Sequence, residues 1–152
     1  IASFGMLEHV GRQNYDAYFG IADKCLADDG LFLVESIGDN VSKSECNPWF
    51  QKYIFAAPTS MFPSIKEIAA AIEGRFTMED WHNFGADYAP TLRAWNDRLA
   101  VNRDAVVAQY GERFYRMFVF YLLSCAGAFE ARTYQMWQVL LSRRGIPGGY
   151  RR

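Results

Sequence analysis

The ten-residue stretch EDWHNFGADY, at Glu79–Tyr88, is the densest group of side chains in this sequence that could do chemistry. It sets aromatic and hydrogen-bonding residues, among them Trp81, His82 and Tyr88, around a single glycine, Gly85. Buried Tyr and Trp side chains need partners for their polar tips, so the cluster is a candidate pocket wall. An equally open alternative is a strand end that caps a following helix. Spacing alone does not separate the two.

The other reactive residue types form no pattern of a metal or nucleotide site. Cys25, Cys46 and Cys125 lack metal-ligand spacing, and an odd number of cysteines is typical of reduced thiols in a cytoplasm. His9 and His82 are too far apart in the sequence to give a metal signature. No GxG pattern follows a predicted strand, so we assign no dinucleotide-binding loop.

Composition indicates one folded domain without a strong charge. The chain has 152 residues, 51% of them hydrophobic, and a net charge of −1, which gives no reason to expect nucleic acid. The longest apolar run, Met117–Phe129, is too short to span a bilayer. Four arginines near the end are either a solvated terminus or a contact for phospholipid headgroups: Arg143, Arg144, Arg151 and Arg152.

The first third of the chain has the pattern of a βαβ unit. Ile1–Phe4 is a short apolar run, and the apolar residues after Asn14 recur at helical spacing as far as Leu26. Leu31–Val34 is a buried strand, which we expect to close at Gly38 and a polar loop. Two strands joined by one helix predict a parallel pair in an α/β sheet. Because the sequence starts inside a strand, we expect a piece of a longer polypeptide.

The remaining elements follow from apolar periodicity and capping residues. Ser64 is a candidate N-cap, and Gly111 should end a helix. The pattern predicts helices at Pro48–Phe55, Ile65–Ile72, Thr91–Tyr110 and Glu112–Ala128, and strands at Arg75–Met78 and Tyr134–Ser142.

Seven motifs, in the same order along the chain, resemble the C-terminal half of the cyclopropane-fatty-acyl-phospholipid synthases. Besides EDWHNFGADY they are SFGMLEHVG, NYDAYF, NPWFQKYIF, ERFYRMF, CAGAFEAR and QMWQVLLSR. The resemblance implies that residues 1–152 are the C-terminal portion of one Rossmann-like class I methyltransferase domain. We then expect a mixed sheet of about four strands, the fourth to seventh of seven, with flanking helices. The upstream strands and the cofactor-binding glycine-rich turn would be missing.

The resemblance also implies the reaction and its participants. Enzymes of this family transfer the methyl group of S-adenosylmethionine to a cis double bond of a phospholipid acyl chain, and the ring closes as a proton is lost. A bound bicarbonate is thought to accept that proton. We therefore expect a cytoplasmic protein in peripheral contact with the inner face of the membrane. Aromatic side chains would suit the cation that forms on the acyl chain.

Position by position, the family's functional residues match a small set here. The bicarbonate-holding glutamate corresponds to Glu8, the tyrosine to Tyr88 and a backbone ligand to Ile37. Phe4 and Gly5 correspond to positions beside the methionine part of the cofactor. From the residues alone, Glu8 could equally be a first-turn acid, Ile37 a core residue and Tyr88 a capping aromatic. The resemblance favours function for Glu8 and Tyr88.

One position departs from the family pattern. The family commonly reads His-Thr-Ile where this chain reads Glu35-Ser36-Ile37. An ionised carboxylate would repel bicarbonate, whereas the histidine donates a hydrogen bond to it. Glu35 could be protonated and donate, could turn away to a basic partner, or could itself be the base.

Two further readings follow for the chain as a whole. A glutamate at position 35 is also compatible with an enzyme that methylates unsaturated acyl chains without closing a ring. The chain by itself could instead be a folded, non-catalytic fragment. With its first-strand neighbour missing, Ile1–Phe4 would be an exposed sheet edge, so we expect the isolated chain to associate with itself.

Overall fold

The computed structural model describes residues 1–55 and 59–152, and these form two compact units. We call residues 1–83 with 135–152 the sheet unit, and residues 84–134 the helical unit. The sheet unit holds strands β1 (Ala2–Phe4), β2 (Leu31–Asp39), β3 (Thr77–Asn83) and β4 (Tyr134–Ser142).

The four strands lie in the order β1-β2-β4-β3. β1 pairs with β2 in parallel, with Phe4 opposite Glu35, and β3 pairs with β4 antiparallel, with Asn83 opposite Trp137. The predicted mixed sheet of an α/β fold is therefore confirmed.

Helices flank this sheet and bury its apolar face. They are α1 (Leu7–Val10), α2 (Tyr15–Cys25), α3 (Pro48–Tyr53) and α4 (Ile65–Ile72), with a 3-10 turn at Arg12–Asn14. Along β2 the side chains alternate, so that Phe32 and Val34 are buried in a core shared with α2 and α4. Ser64 caps α4 as predicted: its hydroxyl accepts from the N–H of Glu67, whose carboxylate accepts from the N–H of Ser64.

The helical unit consists of α5 (Gly85–Val101), α6 (Arg103–Tyr110) and α7 (Glu112–Glu130). Its long helices pack through Leu92, Leu122 and Phe129, each about 2% exposed or less. Within the described residues, no helix combines the length and apolar character needed to cross a membrane.

Three predicted boundaries were wrong. The strand predicted at Arg75–Met78 begins at Thr77 and continues through the aromatic cluster to Asn83, so most of that cluster is strand. The single helix predicted at Thr91–Tyr110 starts earlier, at Gly85, and is interrupted at Asn102. β2 does not close at Gly38 but continues to Asp39.

Gly38 is a packing requirement rather than a turn. A Cβ atom at this position would lie 2.1 Å from Cζ3 of Trp137, which is 2% exposed. The indole of Trp137 lies directly against the β2 backbone and contacts Trp81 edge-on, with 5.2 Å between ring centroids. Glycine is therefore needed because a neighbouring ring approaches closely.

A candidate site at the end of the first strand

Glu8 lies in a short helix that follows the carboxyl end of β1. Gly5 turns the chain with a φ of +58°, and α1 then begins at Leu7, whose side chain is fully buried. The loop at residues 59–61 fixes α1 from outside: Met61 N–H donates to the carbonyl of Glu8 at 2.7 Å, and His9 Nδ1 lies 2.9 Å from the Ser60 hydroxyl. α1 is therefore held against the edge of the sheet.

The carboxylate of Glu8 continues the hydrogen-bond ladder between β1 and β2. Leu33 N–H donates to the carbonyl of Ile1, and Gly5 N–H donates to the carbonyl of Glu35. Alternate residues of β2 thus point their backbone groups at β1, and Ile37 N–H points beyond its end. Glu8 Oε1 accepts that N–H at 2.7 Å. A side chain thereby takes the position that the next carbonyl of β1 would fill.

The second oxygen of Glu8 is buried and unsatisfied. The residue is 4% exposed, and Oε2 has no hydrogen-bond partner among residues 1–55 and 59–152. The nearby Ser36 hydroxyl donates to the carbonyl of Ile37 at 3.0 Å. Burial raises the pKa of Glu8, and the backbone N–H groups of Glu8 and Ile37, the charge of His9 and the nearby Ser36 hydroxyl act in the opposite direction. An unsatisfied buried carboxylate oxygen is costly, which makes this atom a functional candidate.

Glu35 is held by a neutral amide. Its side chain is half-buried, and Oε2 accepts from Nε2 of Gln138 on β4 at 3.1 Å. Gln138 is also the cross-strand partner of His82. The contact that the structure gives Glu35 is therefore to an amide rather than to a basic side chain. Sequence reasoning missed Gln138, although a polar residue within the apolar strand YQMWQVLLS was a signal.

Tyr88 lies in the helical unit, in the first turns of α5. Its ring packs against Phe129, with 4.9 Å between centroids, and against Trp95, at 6.1 Å. The structure thus brings Glu8 and Ile37 together in the sheet unit, while Tyr88 belongs to an aromatic cluster of the helical unit.

The end of β1 is open around the two proposed cofactor positions. Phe4 is 56% exposed, and no atom lies within 4 Å of the point that a Cβ of Gly5 would occupy. Both residues therefore lie at an open end of β1, and their contact with the cofactor stays a prediction. Among the described residues, no group of His, Cys, Asp and Glu is arranged to hold a metal ion.

The helical unit also contains an open apolar groove with a volume of about 360 Å³. It lies between α5, α6 and α7 and is lined by Trp95, Arg98, Leu99, Asn102, Val106, Phe118 and Leu122. A largely apolar lining with few polar groups is typical of a site for an apolar ligand.

A sequence model of one protein family, described as mycolic acid cyclopropane synthetase, matches residues 1–139. The cyclopropane-fatty-acyl-phospholipid synthase of Escherichia coli strain K12 is 49% identical over 99% of this chain and 39% of its own length. Cyclopropane mycolic acid synthase 2 of Mycobacterium leprae is 29% identical over 93% of this chain and 52% of its own length. The chain therefore spans between two fifths and about half of the length of these relatives.

Solved structures give the same assignment. The mycolic acid cyclopropane synthase CmaA1, complexed with SAH and CTAB, matches with a TM-score of 0.83 and 28% identity, over 93% of this chain and 54% of that one. The cyclopropane synthase MmaA2 from Mycobacterium tuberculosis matches with a TM-score of 0.84 over the same fractions, and its 24% identity supports the fold alone. The class I methyltransferase fold expected from the sequence is confirmed.

Proposed function

This chain belongs to the mycolic acid cyclopropane synthetase family, and from that membership we propose that the full-length protein makes cyclopropane fatty acids. It would transfer a methylene group from S-adenosylmethionine to a cis double bond of a phospholipid acyl chain. The observation that carries the proposal is the 49% identity to a cyclopropane-fatty-acyl-phospholipid synthase across nearly the whole chain.

S-adenosylmethionine, when bound, supplies the methyl group. The residues of this chain that would touch it are Phe4 and Gly5, at the open end of β1. They offer one wall only, and no glycine-rich turn follows a strand in this sequence. The chain's larger contribution is to the substrate and to the proton that is lost.

The acyl chain needs a water-poor pocket that tolerates positive charge. Methyl addition to a double bond leaves a cation on the chain, which water would otherwise capture. The open groove in the helical unit supplies an apolar lining that an acyl chain could cover, and the aromatic faces of Tyr88, Trp95 and Phe129 suit a cation. These features support a lipid substrate in the helical unit.

Bicarbonate is the proton acceptor that the family resemblance implies, and the described residues fit it only in part. Glu8 Oε2 is an unpaired atom to which such an ion could bind. The N–H of Ile37, however, already donates to Glu8 Oε1 at 2.7 Å. At position 35 the chain has a carboxylate, which repels an anion. We therefore derive no proton step through bicarbonate and leave a carboxylate of the chain as the acceptor.

A second candidate function is methyl addition without ring closure. In this reaction the proton leaves a different carbon, and the product is a branched acyl chain that is still unsaturated. Glu35, bonded to Gln138, is the feature that favours it, because an altered base could select a different proton. Nuclear magnetic resonance separates the products: ring protons indicate the first function, and olefinic protons beside a branch indicate the second.

Two partners are part of the proposal. A phospholipid substrate requires peripheral contact with a membrane surface, which for this family would be the cytoplasmic face.

For the isolated chain we expect self-association, because β1 is an edge strand with Ile1 and Phe4 at least half exposed. Light scattering that gives a monomer mass at high protein concentration would contradict the second expectation.

Purified full-length protein tests the function directly. The assay supplies labelled S-adenosylmethionine and phospholipid vesicles with cis-unsaturated chains, and it follows label in the acyl fraction. We expect incorporation with ring protons in the product. Tyr88→Phe, which removes only a hydroxyl, should lower turnover on the order of a hundredfold if Tyr88 serves the reaction. Tyr110→Phe, at an exposed tyrosine of α6, is the matched control.

No incorporation of label by the wild-type protein would refute the proposed function. Normal turnover of Tyr88→Phe would remove Tyr88 from the site but leave the function standing.

A further inference from the structure

α7 carries apolar side chains on two of its faces. The first face packs within the helical unit and contains the buried residues of the helix: Leu122, Cys125, Ala126 and Phe129. The second face, which we call the outer stripe, has six residues at steps of three and four: Arg113, Tyr115, Arg116, Val119, Phe120 and Leu123. A surface helix normally has polar residues on the side away from its core. The outer stripe therefore needs an explanation beyond the packing of the helical unit.

The apolar part of the outer stripe is exposed. Phe120 is 55% exposed and Leu123 is 41% exposed, although they lie one turn apart on the same helix. An open groove runs along these residues, from Tyr115 to Ser124. Apolar side chains scattered singly over a surface need no explanation, whereas neighbouring ones bordered by charges indicate an interaction site.

The end of the stripe nearest the start of α7 is basic. Arg113 and Arg116 are exposed, and neither forms an ion pair with any residue that the structure describes. The nearby acids are already engaged, since Arg103 of α6 pairs with Glu112 at 2.7 Å and with Asp104 at 3.4 Å. Arg113 also lies in the first turn of α7, where the helix dipole disfavours a positive charge. Helix stability therefore does not explain its position.

A bilayer that contains anionic lipids fits this combination of residues best. Guanidinium groups bind phosphates through paired N–H donors, and Phe and Leu side chains favour the boundary between headgroups and acyl chains. A second copy of the chain fits less well, because a two-fold axis places the same patch on both sides of an interface. Arg113 and Arg116 would then meet further arginines and no free carboxylate, and unpaired charges are costly to bury.

We propose that the outer stripe of α7 is the surface through which the full-length protein docks on an anionic phospholipid bilayer. α7 would lie along the bilayer, with Phe120 and Leu123 at the boundary of the acyl chains and with Arg113 and Arg116 on lipid phosphates. The inference rests on the proposed function, whose phospholipid substrate lies in such a bilayer. It adds which face of the chain makes the contact.

Vesicle binding tests this surface without any turnover. Purified full-length protein is mixed, in the absence of S-adenosylmethionine, with vesicles of phosphatidylcholine alone or of phosphatidylcholine and phosphatidylglycerol in equal parts. Flotation then measures the bound fraction. We expect tighter binding to the anionic vesicles, and we expect high salt to reduce that difference because it screens exposed charges.

Two double variants separate the basic part of the stripe from its apolar part. Arg113→Gln with Arg116→Gln should weaken binding to anionic vesicles about 25-fold, from about fivefold for each basic residue, and should change binding to phosphatidylcholine little. Phe120→Gln with Leu123→Gln should weaken binding to both kinds of vesicle by about tenfold or more, because apolar burial is lost.

Matched controls make the same changes on exposed residues of the sheet unit. Lys24→Gln with Lys66→Gln removes the same charge, and Ile21→Gln with Ile65→Gln replaces two apolar residues that are 62% and 52% exposed. Both controls should bind vesicles nearly as the wild type does. Thermal unfolding of every variant shows whether weaker binding reflects a lost fold.

Several outcomes would overturn the inference. They are a wild-type protein that binds neither kind of vesicle, and stripe variants that bind both kinds as the wild type does. If Phe120→Gln with Leu123→Gln halves the mass in light scattering and leaves vesicle binding unchanged, a second copy covers the stripe. If it lowers the melting temperature and leaves vesicle binding unchanged, another part of the full-length protein covers it.

The docking surface and the proposed function can fail separately. Vesicle binding that depends on the stripe, in a protein that transfers no label from S-adenosylmethionine, supports the docking surface and refutes the function alone. Normal transfer of label by stripe variants that also bind as the wild type does refutes the docking surface and leaves the function standing.

Discussion

Replacing Gly38 with alanine should destabilise the sheet unit strongly. The added Cβ would lie 2.1, 2.3 and 2.5 Å from three ring carbons of Trp137, whereas carbon atoms in contact are about 3.5–4.0 Å apart. The indole has no free direction of escape, because it is 2% exposed and already packs edge-on against Trp81. Either the ring or the β2 backbone must move by more than an ångström.

Overpacking of a well-filled core typically costs about 1–3 kcal/mol, and a clash with a buried ring belongs at the upper end. For a chain of this length, each kcal/mol lowers the melting temperature by roughly 2–4 °C, so Gly38→Ala should lower it by about 6–12 °C. Thermal and urea unfolding followed by circular dichroism measure this. The control is Gly127→Ala in α7, where a Cβ meets no atom within 4 Å. It should be neutral or stabilise by about 0.5–1 kcal/mol.

A double variant tests the cause. Trp137→Leu alone removes the ring and should destabilise the chain, by less than the roughly 3–5 kcal/mol typical of Trp→Ala in a core because leucine fills part of the space. If the clash is the reason for the Gly38→Ala effect, adding Gly38→Ala to Trp137→Leu should cost little more, which gives a favourable coupling energy. A single Gly38→Ala variant that melts with the wild type, or two effects that simply add, would refute the reasoning.

Three further predictions concern charge, capping and the cofactor. Because burial raises the pKa of Glu8 in the folded protein, the contribution of Glu8 to stability is complete in acid, below the pKa of the unfolded chain, and is lost as pH rises through the folded-state pKa. Urea unfolding should therefore find Glu8→Gln more stable than the wild type at neutral pH, with the difference vanishing in acid. The neighbouring titratable groups should not reverse this difference in stability. Burial raises the pKa of Tyr15 and of Tyr18, so both stay neutral, and the charge of His9 lowers the pKa of Glu8 less than burial raises it. Ser64→Ala removes one half of the capping box and should cost about 1 kcal/mol in unfolding free energy, whereas Ser64→Asp should retain most of it. Isothermal titration of this chain alone with S-adenosylmethionine should detect no binding with a micromolar Kd, because most contacts to the cofactor are expected from residues outside the chain. A measured micromolar Kd would contradict that expectation.

Local patterns predicted the elements whose ends are marked by local chemistry. The strand Tyr134–Ser142 and the helix Ile65–Ile72 were predicted to the residue, because apolar β-formers define the first and Ser64 with Glu67 defines the second. The interruption at Asn102 could not be predicted, since the residues on both sides favour a helix. The role of Gly38 was missed for another reason: the ring that requires it lies far along the chain.

The sequence also predicted only part of the candidate site: its motifs identified residues, but not the contacts between residues far apart in the chain. The motif resemblance identified Glu8 and Ile37, and the structure places the Glu8 carboxylate 2.7 Å from the Ile37 N–H. No periodicity in the sequence indicates that a side chain extends a ladder between two strands, because the contact joins residues 29 positions apart. The amide that holds Glu35 was missed because Gln138 was treated as part of an apolar strand. The partner of Gln138 is set by the order of the strands in the sheet rather than by its neighbours in the sequence.

The helical unit is an insertion within a single hairpin. It leaves the sheet after Asn83 and returns before Trp137, and those two residues face each other across β3 and β4. Closing a loop of about fifty residues instead of a four-residue turn costs roughly 2 kcal/mol more in chain entropy, so the hairpin should form late in folding. An insertion whose two ends are held together by the sheet can also be exchanged for a relative's without cutting a strand. If the helical unit holds the acyl chain, as proposed, such an exchange should carry the acyl-chain preference with it and leave the edge that holds Glu8 unchanged.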